Sequence, residues 1–404
     1  MSVWREVARR YGFVEYDGPP LESLDLYTRK SGEEIVGQLY NFTDKGGREV
    51  ALRPEMTPTL ARMVAAKANA MRKPIRWFSV PQLFRYERQQ KGRLKEHFQF
   101  NVDIIGESSV SADAELLALA IDVMREVGLT PADVRARVSD RRLLTVLLIH
   151  AGVVKSELAA VYAAIDKMGR EPIDVTVGKL EKAVKSREAV RAIERLLQHS
   201  RDLDAIAGEF ADSADVVEEI ARMHEYVAFL DALGVGDWID FDLSIVRGLA
   251  YYTGNVFELF DTKGEFRAIC GGGRYDDLLS AIGGVDLPAL GFGMGDVVLT
   301  ELLRSRDLLP AATLATEYWV AADDDALLLE VMTVAGKLRA KARSVEYALK
   351  PQTLARQLKT ASSAGVRSVV LLRRDEFAGG TVTIKTLADG AERNVALDTF
   401  IESL

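Results

Sequence analysis

Two long stretches of the chain, residues 75–89 and 93–106, alternate apolar and polar side chains with period two. That is the period with which successive side chains of a β-strand point to opposite faces. A short polar connection around Gly92 separates the two stretches, so the pattern predicts a long antiparallel β-hairpin. Such a hairpin is expected to present one apolar face and one polar face.

The polar face of this hairpin carries charged and amide side chains. Alternation places Arg85 and Glu87 on one face, and Gln99 and Asp103 are in phase with each other on the returning strand. A face of this kind is either a solvated surface held by salt bridges or a binding site. If the face is a binding site, its arginines indicate a phosphorylated, planar ligand. The guanidinium group of arginine holds phosphate oxygens in pairs and stacks on aromatic rings.

Composition limits the remaining possibilities. A chain of 404 residues, at about 150 residues per domain, suggests two or three domains. No apolar run approaches the ~18 residues that span a bilayer, and MSVWREVARRYGF lacks the apolar core of a signal peptide, so a cytoplasmic protein is expected. The single cysteine, Cys270, excludes an internal disulfide. The four histidines lack metal-site spacing, so no metal-binding residues are predicted. The net charge of −8 still permits a local basic surface for nucleic acid.

Changes in pattern divide the chain further. Residues 142–232 are rich in Ala, Leu, Glu, Lys and Arg with helical period, which predicts an all-helical insertion. Over residues 316–404 strands and helices alternate, which predicts a compact α/β domain with a largely parallel sheet. Nearer the N-terminus, residues 57–71 are expected to form a helix with Thr57 as its N-cap and Pro58 at its first position.

The hairpin sequence FRYERQQKGRLKEHFQF resembles motif 2 of the class II aminoacyl-tRNA synthetases. The resemblance implies that Arg85 holds the α-phosphate of ATP and the amino-acid carboxylate, that Glu87 contacts the adenine amino group and that Arg93 reaches the γ-phosphate. It also implies that the connection between the strands meets the acceptor end of tRNA, through Gln89, Gln90, Lys91 and Gly92.

Three further segments narrow the resemblance to the histidyl-tRNA synthetases: ALRPEMTPTLAR, IVRGLAYYTGNVFE and GGGRYDDLL. The first resembles the segment that binds the ammonium group of the amino acid, through Glu55 and Thr57. The second resembles the signature peptide of that family and implies that Arg247 lies against the α-phosphate. The resemblance therefore implies one histidine site made of Glu55, Thr57, Arg85, Gln99, Asp103, Arg247, Tyr251 and Tyr252.

The resemblance covers nearly the whole chain and implies an α/β architecture. Its α+β catalytic domain is expected to be a class II antiparallel sheet flanked by helices, discontinuous over residues 1–141 and 233–310. A helical insertion would occupy residues 142–232, and a C-terminal α/β anticodon-binding domain residues 316–404. The segment RYGFVEYDGPPLE resembles motif 1, which implies a homodimer with Pro19 at its interface.

The implied activity is that of a histidine–tRNA ligase. Histidine would be activated with ATP, accompanied by Mg²⁺, to histidyl-adenylate and pyrophosphate, and then transferred to tRNA(His). Activation brings two anions together, so fixed cations are needed where the charge gathers, and Arg85 and Arg247 are the candidate catalytic residues.

One segment departs from the family pattern. Motif 3 usually reads Gly-Phe-x-x-Gly-x-Glu-Arg, and its arginine clamps the γ-phosphate, but here the stretch is GFGMGDVVL. Val297 and Val298 stand where the Glu-Arg pair is expected, and valine cannot bind phosphate. Either Arg93 with another cation holds the pyrophosphate end, or activation is impaired. The Gly-Asp-Val-Val form is interpreted as variation within one branch of the family.

Two other functions fit parts of the pattern. A regulatory subunit of ATP phosphoribosyltransferase would share the catalytic-domain fold and bind histidine without consuming ATP, but it would usually lack the anticodon-binding domain. A class II synthetase for another amino acid would keep motif 2, whereas the RGLAYYTG stretch favours histidine.

Overall fold

The computed structural model describes residues 1–31, 33–86, 94–168, 171–247, 251–309 and 316–404, with the backbone alone for residues 29–31 and 33–35. The chain divides into two compact units, Met1–Leu309 and Pro310–Leu404.

The strands of the first unit are β1 (Val14–Glu15), β2 (Leu21–Ser23), β3 (Asn41–Thr43), β4 (Glu49–Leu52), β5 (Ile75–Ser79), β6 (Gln82–Phe84), β7 (Glu96–Ile105), β8 (Val134–Asp140), β9 (Ile239–Phe241), β10 (Asn255–Asp261), β11 (Cys270–Arg274) and β12 (Ala289–Gly295). Its α-helices are α1 (Ser2–Arg10), α2 (Leu24–Ser31), α3 (Thr57–Ala65), α4 (Val110–Glu126), α5 (Arg141–His150), α6 (Leu158–Ile165), α7 (Ile173–Ala183), α8 (Arg187–Gln198), α9 (Leu203–Glu209), α10 (Ala214–Ala232), α11 (Leu278–Gly283) and α12 (Asp296–Ser305). Short 3₁₀ helices cover Glu33–Gln38, Ala68–Ala70 and Gly236–Trp238.

A large sheet organises the first unit. Its strand order in the described chain is β1-β5-β7-β12-β11-β10-β8-β9, and β6 also pairs with β7. The outermost pairs, β1 with β5 and β8 with β9, are parallel, and the pairs between them are antiparallel. The predicted hairpin is confirmed: β5 and β6 both run antiparallel to β7, with Val80 and Pro81 between them. A smaller antiparallel sheet has the order β2-β4-β3.

One face of the large sheet forms the main core. Alternate side chains of β7, such as Phe100, Val102 and Ile104, are buried in one cluster with apolar side chains of α1, α4 and α10. Phe100 stacks on Trp4 of α1 with ring centroids 5.5 Å apart. Because side chains alternate along a strand, the remaining residues of the same strands are presented to the opposite face.

The segment predicted as a helical insertion contains α5 to α10 in its described part. Its helices share a core of their own, to which Val216 and Ile220 of α10 contribute. Further along α10, Met223 and Tyr226 belong instead to the main core. The last helix therefore ties the helical segment to the sheet, and both belong to the unit Met1–Leu309.

Two expectations about local structure are wrong in detail. The helix predicted over residues 57–71 ends at Ala65, and the cap position before Thr57 is held by Met56 without a side-chain hydrogen bond. Thr57 is thus the first helical residue rather than the cap, with Pro58 next to it, where a missing N–H costs no helical hydrogen bond.

The second unit contains its own five-stranded sheet within the described residues. Its strands are β13 (Tyr318–Ala322), β14 (Val345–Tyr347), β15 (Ser368–Leu372), β16 (Thr381–Thr386) and β17 (Glu392–Ala396), and its α-helices are α13 (Leu328–Ala340), α14 (Leu354–Ser363), α15 (Arg374–Ala378) and α16 (Leu397–Glu402). A 3₁₀ turn, Asp325–Leu327, precedes α13. The order is β14-β13-β15-β16-β17, with the first two pairings parallel and the last two antiparallel. The largely parallel sheet expected from the sequence is therefore a mixed sheet.

Among the described residues, no helix combines the length and the apolar character that crossing a bilayer would need.

Candidate active site

Part of the large-sheet face opposite the main core is lined by polar side chains and glycines, and another part packs in a separate apolar cluster. Direct cross-strand partners place Asn101, Gly293, Gly271, Glu258 and Arg137 in one row across β7, β12, β11, β10 and β8. Directly opposed residues of antiparallel strands share a face. The middle of this row therefore has no side chains, and polar side chains rise at both ends.

The glycines in this row leave room for the side chains above them. A Cβ atom at position 271 would lie 2.6 Å from Cζ of Arg247, and one at position 293 would lie 2.8 Å from Cδ of Gln99. Both distances are well inside van der Waals contact. Gly271 and Gly293 thus form a floor on which the guanidinium and amide groups lie flat against the backbone.

Two adjoining cavities open on this floor. The larger has a volume of about 940 Å³ and the smaller about 100 Å³. Both are lined by Arg85, Gln99, Arg247, Gly271 and Gly293. Two arginines and an amide therefore stand at the junction between a small compartment and a large one.

Arg85 follows directly after β6 and is held at the junction by backbone contacts. Its N–H donates to the carbonyl of Lys95 at 2.8 Å, which extends the pairing with the returning strand. Its Nε donates to the carbonyl of Pro54 at 3.1 Å. This bond brings the guanidinium to the segment that carries Glu55 and Thr57, both of which line the smaller cavity.

Arg247 has an unusual backbone conformation, with φ of +58°. A non-glycine residue in the left-handed region costs of order 1 kcal/mol and persists where the surroundings fix it. Its side chain forms an ion pair with Glu258 of β10, and Cζ lies 5.8 Å from the ring centroid of Tyr252. Burial favours the neutral form of Arg247, but its interactions with Tyr252 and Glu258 outweigh the effect of burial. The pKa of Arg247 is therefore raised, and the group stays cationic.

Three tyrosines form the wall of the smaller cavity. The ring of Tyr251 lies 4.9 Å from that of Tyr252 and 5.8 Å from that of Tyr275, measured between centroids. Tyr275 donates its hydroxyl hydrogen to Asp103, which is buried behind it. Burial raises the pKa of Asp103 to about 7, although the hydrogen bond from Tyr275 opposes that rise.

The structure brings together most of the candidate residues that it describes. Those that line one or both cavities are Glu55, Thr57, Arg85, Gln99, Arg247, Tyr251 and Tyr252. Asp103 differs from them, since it lines neither cavity and faces Tyr275. The candidates outside the described residues are Glu87, Gln89, Gln90, Lys91, Gly92 and Arg93.

Several residues that line the two cavities were not identified from the sequence. They are Asn101 and Tyr275 in the smaller cavity, and Arg137, Glu258 and Arg267 in the larger. Asn101 has the same strand phase as Gln99, so alternation along β7 could have identified it. Arg137 and Glu258 meet only through the pairing of β8 with β10, which no local pattern reveals.

Cys270 is a buried free cysteine. Its side chain lies in the main core. Burial raises the pKa of its thiol, so a reactive thiolate is disfavoured.

The departure at motif 3 is visible in the larger cavity. Val297 and Val298, in the first turn of α12, both line it. These two side chains offer no hydrogen-bond donor to a bound anion. The same cavity nevertheless contains Arg137 and Arg267 in addition to the two arginines at the junction.

A glycine-floored cavity with several arginines suits a phosphorylated ligand, and the small aromatic compartment beside it suits a small second ligand. Comparison with known families agrees. The family described as "Histidyl-tRNA synthetase" matches residues 2–299, and the family described as "Anticodon binding domain" matches residues 317–404. The chain belongs to the histidyl-tRNA synthetase family.

Curated relatives are similar over 80% or more of their own length. "Histidine--tRNA ligase" from Opitutus terrae is 43% identical, over 97% of this chain and 90% of the relative. "Histidine--tRNA ligase, chloroplastic/mitochondrial" from Arabidopsis thaliana is 43% identical, over 98% of this chain and 80% of the relative. The Halobacterium salinarum "Histidine--tRNA ligase" is 39% identical, over 98% of this chain and 91% of the relative.

Solved structures share the fold. A histidyl-tRNA synthetase from Nostoc superposes with a TM-score of 0.84 at 24% identity, covering 100% of this chain and 93% of that one. A protein from Bacillus halodurans, described as an ATP phosphoribosyltransferase regulatory subunit/histidyl-tRNA synthetase, gives 0.75 at 22% identity, covering 92% of each chain.

Proposed function

We infer that this chain is a histidine–tRNA ligase, the activity named for its curated relatives. In the first step a carboxylate oxygen of histidine attacks the α-phosphorus of ATP. A new phosphorus–oxygen bond forms, the bond to the β-phosphate oxygen breaks and pyrophosphate leaves with its electron pair. In the second step a ribose hydroxyl at the 3′ end of tRNA(His) attacks the carbonyl carbon and AMP leaves.

The convergence of Arg85 and Arg247 at the junction of the two cavities is the observation that carries this proposal. Histidine would occupy the smaller cavity and the triphosphate the larger, so the α-phosphate would lie between the two guanidinium groups. Cations fixed in place before the reaction stabilise charge that develops in the transition state. Arg85 and Arg247 are therefore the proposed catalytic residues.

Within the smaller cavity, Glu55 and Thr57 are proposed to bind the ammonium group of histidine. Gln99, Tyr251 and Tyr252 are proposed to line the imidazole pocket. Asp103 remains in the proposed set, but the described contacts support an indirect role, because it holds the hydroxyl of Tyr275. A pocket that satisfies hydrogen-bonding groups of a polar side chain rejects apolar analogues strongly, since its own polar groups would be left unpaired.

The roles proposed for residues of the motif 2 connection rest on the family resemblance. Glu87 would contact the adenine amino group, and Arg93 the γ-phosphate. The connection would meet the tRNA acceptor end through Gln89, Gln90, Lys91 and Gly92. The sequence Gly-Asp-Val-Val at 295–298 supports a branch of the family whose motif 3 lacks its arginine.

Mg²⁺ is proposed to accompany ATP. The described residues contain no group of three His, Cys, Asp or Glu side chains that could hold a metal ion. An ion that arrives on phosphate oxygens needs few protein ligands. Asp166 lines the larger cavity and would be the ion's carboxylate ligand, because Glu258, which also lines the cavity, is paired with Arg247. When bound, Mg²⁺ would neutralise part of the triphosphate charge.

The domain division is proposed as predicted: a catalytic domain over 1–141 and 233–310, an insertion over 142–232 and an anticodon-binding domain over 316–404. The match of the last part to an anticodon-binding family supports it. A homodimer and a cytoplasmic location are also proposed, on the motif 1 resemblance and the single cysteine respectively.

Charging of tRNA tests this function. With ATP, Mg²⁺ and labelled histidine, the full chain should attach histidine to a tRNA(His) transcript and leave other tRNA transcripts uncharged. Binding of histidine without ATP consumption or charging would contradict the ligase and favour a histidine sensor such as a transferase regulatory subunit.

A further inference from the structure

Arg267 is one of four arginines that line the larger cavity in the described part of the chain. It follows β10 in the connection to β11, and it lines the cavity together with Val297 and Val298. In the proposed function, the arginine expected in this turn of α12 would clamp the end of the triphosphate. A cation is thus present in the same cavity as the two valines, but on a different element.

The pairing of β11 with β12 places Arg267 and the start of α12 at the same end of the sheet. β11 pairs directly with β12, and β12 runs straight into α12. Cys270, at the start of β11, lies opposite Met294, near the end of β12. Arg267 precedes Cys270 by three residues and Val297 follows Met294 by three residues, so both lie just beyond the same end of this strand pair.

The backbone around Arg267 is anchored on both sides. The buried carboxylate of Asp261 accepts from the N–H groups of Glu265 and Phe266, each at 3.0 Å. Past the arginine, Ile269 donates to the carbonyl of Leu259 at 2.8 Å. These bonds fix the path of the chain just before and just after Arg267, so the guanidinium starts from a defined position.

The other additional arginine of the cavity is less well placed. Arg137 lies on β8, three strands away from β12, which at about 4.8 Å per strand is roughly 14 Å. Its guanidinium lies over the ring of Phe260 at 4.9 Å and 3.9 Å from Asp242. The carboxylates that line the cavity, Asp166 and Glu258, add negative charge. A pyrophosphate group bound near α12 therefore depends on a cation close to Val297.

We propose that Arg267 binds the β- and γ-phosphates of ATP and replaces the arginine that motif 3 lacks. The proposal rests on the proposed function and adds a substrate-binding residue to it. Moving the cation from the helix to the connection between β10 and β11 leaves the reaction unchanged and explains how a valine is tolerated at position 298.

The test is histidine-dependent ATP–pyrophosphate exchange with the full chain and its Arg267→Ala variant. We expect the KM for ATP to rise about tenfold or more and the affinity for pyrophosphate to fall in parallel, while Arg267→Lys recovers part of the loss. Lys263→Ala is the matched control, because it removes an exposed cation from the same connection that lines neither cavity. It should change both constants less than twofold.

A second ligand separates contact with phosphate from damage to the site. A stable analogue of histidyl-adenylate contains no β- or γ-phosphate, so Arg267→Ala should bind it as the unaltered protein does. The double variant Arg267→Ala/Val298→Arg should regain much of the affinity for ATP. Constants for ATP and pyrophosphate within twofold of the unaltered values, or an equal loss of analogue binding, would overturn the proposal. If the unaltered chain shows no histidine-dependent exchange, the proposed function itself fails, and the role of Arg267 fails with it.

Discussion

The two faces of the large sheet are built from the same strands and serve different purposes. On β12, Leu290, Phe292 and Met294 are buried, and the glycines between them belong to the floor of the cavities. On β7, Phe100 stacks in the core while its neighbour Gln99 lines both cavities. One alternating sequence thus encodes stability on one face and ligand binding on the other, and substitutions at adjacent positions should separate the two properties.

The largest effect on stability is expected on the core face, for Phe100→Ala. This ring is fully buried and packs against Trp4, Phe78 and Phe292 at centroid distances of 5.5, 5.9 and 5.5 Å. Loss of a buried phenylalanine costs about 3–5 kcal/mol. Denaturant unfolding should show that loss for Phe100→Ala, whereas Gln99→Ala should keep its stability within about 0.5 kcal/mol and lose affinity for histidine. Equal losses of stability at both positions would contradict the division between the faces.

On the site face, Arg247→Ala should have the largest effect on catalysis. If Arg247 stabilises charge in the transition state, adenylate formation should slow by about 2–4 kcal/mol of barrier. Single-turnover formation of histidyl-adenylate measures this directly. Arg247→Lys keeps a cation near Glu258 and should lose less. An unchanged single-turnover rate in the alanine variant would remove Arg247 from the chemistry.

Gly293→Ala should have an intermediate effect on ligand binding. The new methyl group would lie 2.8 Å from Cδ of Gln99, so the amide must move from its place on the floor. We expect kcat/KM for histidine to fall about tenfold, or about 1.4 kcal/mol, with little change in KM for ATP. Gly295→Ala is the control, since a Cβ there meets no atom within 4 Å. If Gly295→Ala lowered kcat/KM for histidine more than Gly293→Ala does, close packing of Gln99 on Gly293 would not explain the loss.

A pH dependence of stability is expected from Asp103. Its pKa is about 7 in the folded chain against an ordinary value of 3.8, so between these values the folded state binds more protons than the unfolded state. The free energy of unfolding should therefore fall as pH rises from about 4 to about 7. Asp103→Asn has no carboxyl group to titrate at this position. Between pH 5 and pH 8 the free energy of unfolding of the unaltered chain should therefore fall by about 1–3 kcal/mol relative to that of the variant. Parallel stability curves for the two proteins would contradict the buried, protonated carboxyl group.

Sequence reasoning succeeded where the relevant information is local. Period-two alternation was enough to predict the hairpin and to put Gln99 on the site face, because register along one strand needs no knowledge of its partner. It could not place Asp103 behind Tyr275, since that contact joins residues that are 172 positions apart in the chain. Arg267 belongs to no motif and is identified only because the folded chain brings it to the larger cavity.

The second unit shows the same limit. The strands β13, β14 and β15 alternate with helices, and their parallel pairing followed from that pattern. β16 and β17 are joined by a short turn in which Gly390 has φ of +72°, and a short connection permits only antiparallel pairing. β17 was not predicted, and without it the sheet looked more parallel than it is.

The central proposal is that histidine in the smaller cavity reacts with ATP in the larger one. Histidine-dependent exchange of pyrophosphate into ATP tests it most directly, because the exchange requires both cavities to act together. The measurement should be made with each of the twenty amino acids in magnesium buffer. The account predicts exchange with histidine alone, despite Val298 in motif 3. Exchange driven by another amino acid, or none at all from a chain that still binds histidine, would contradict it.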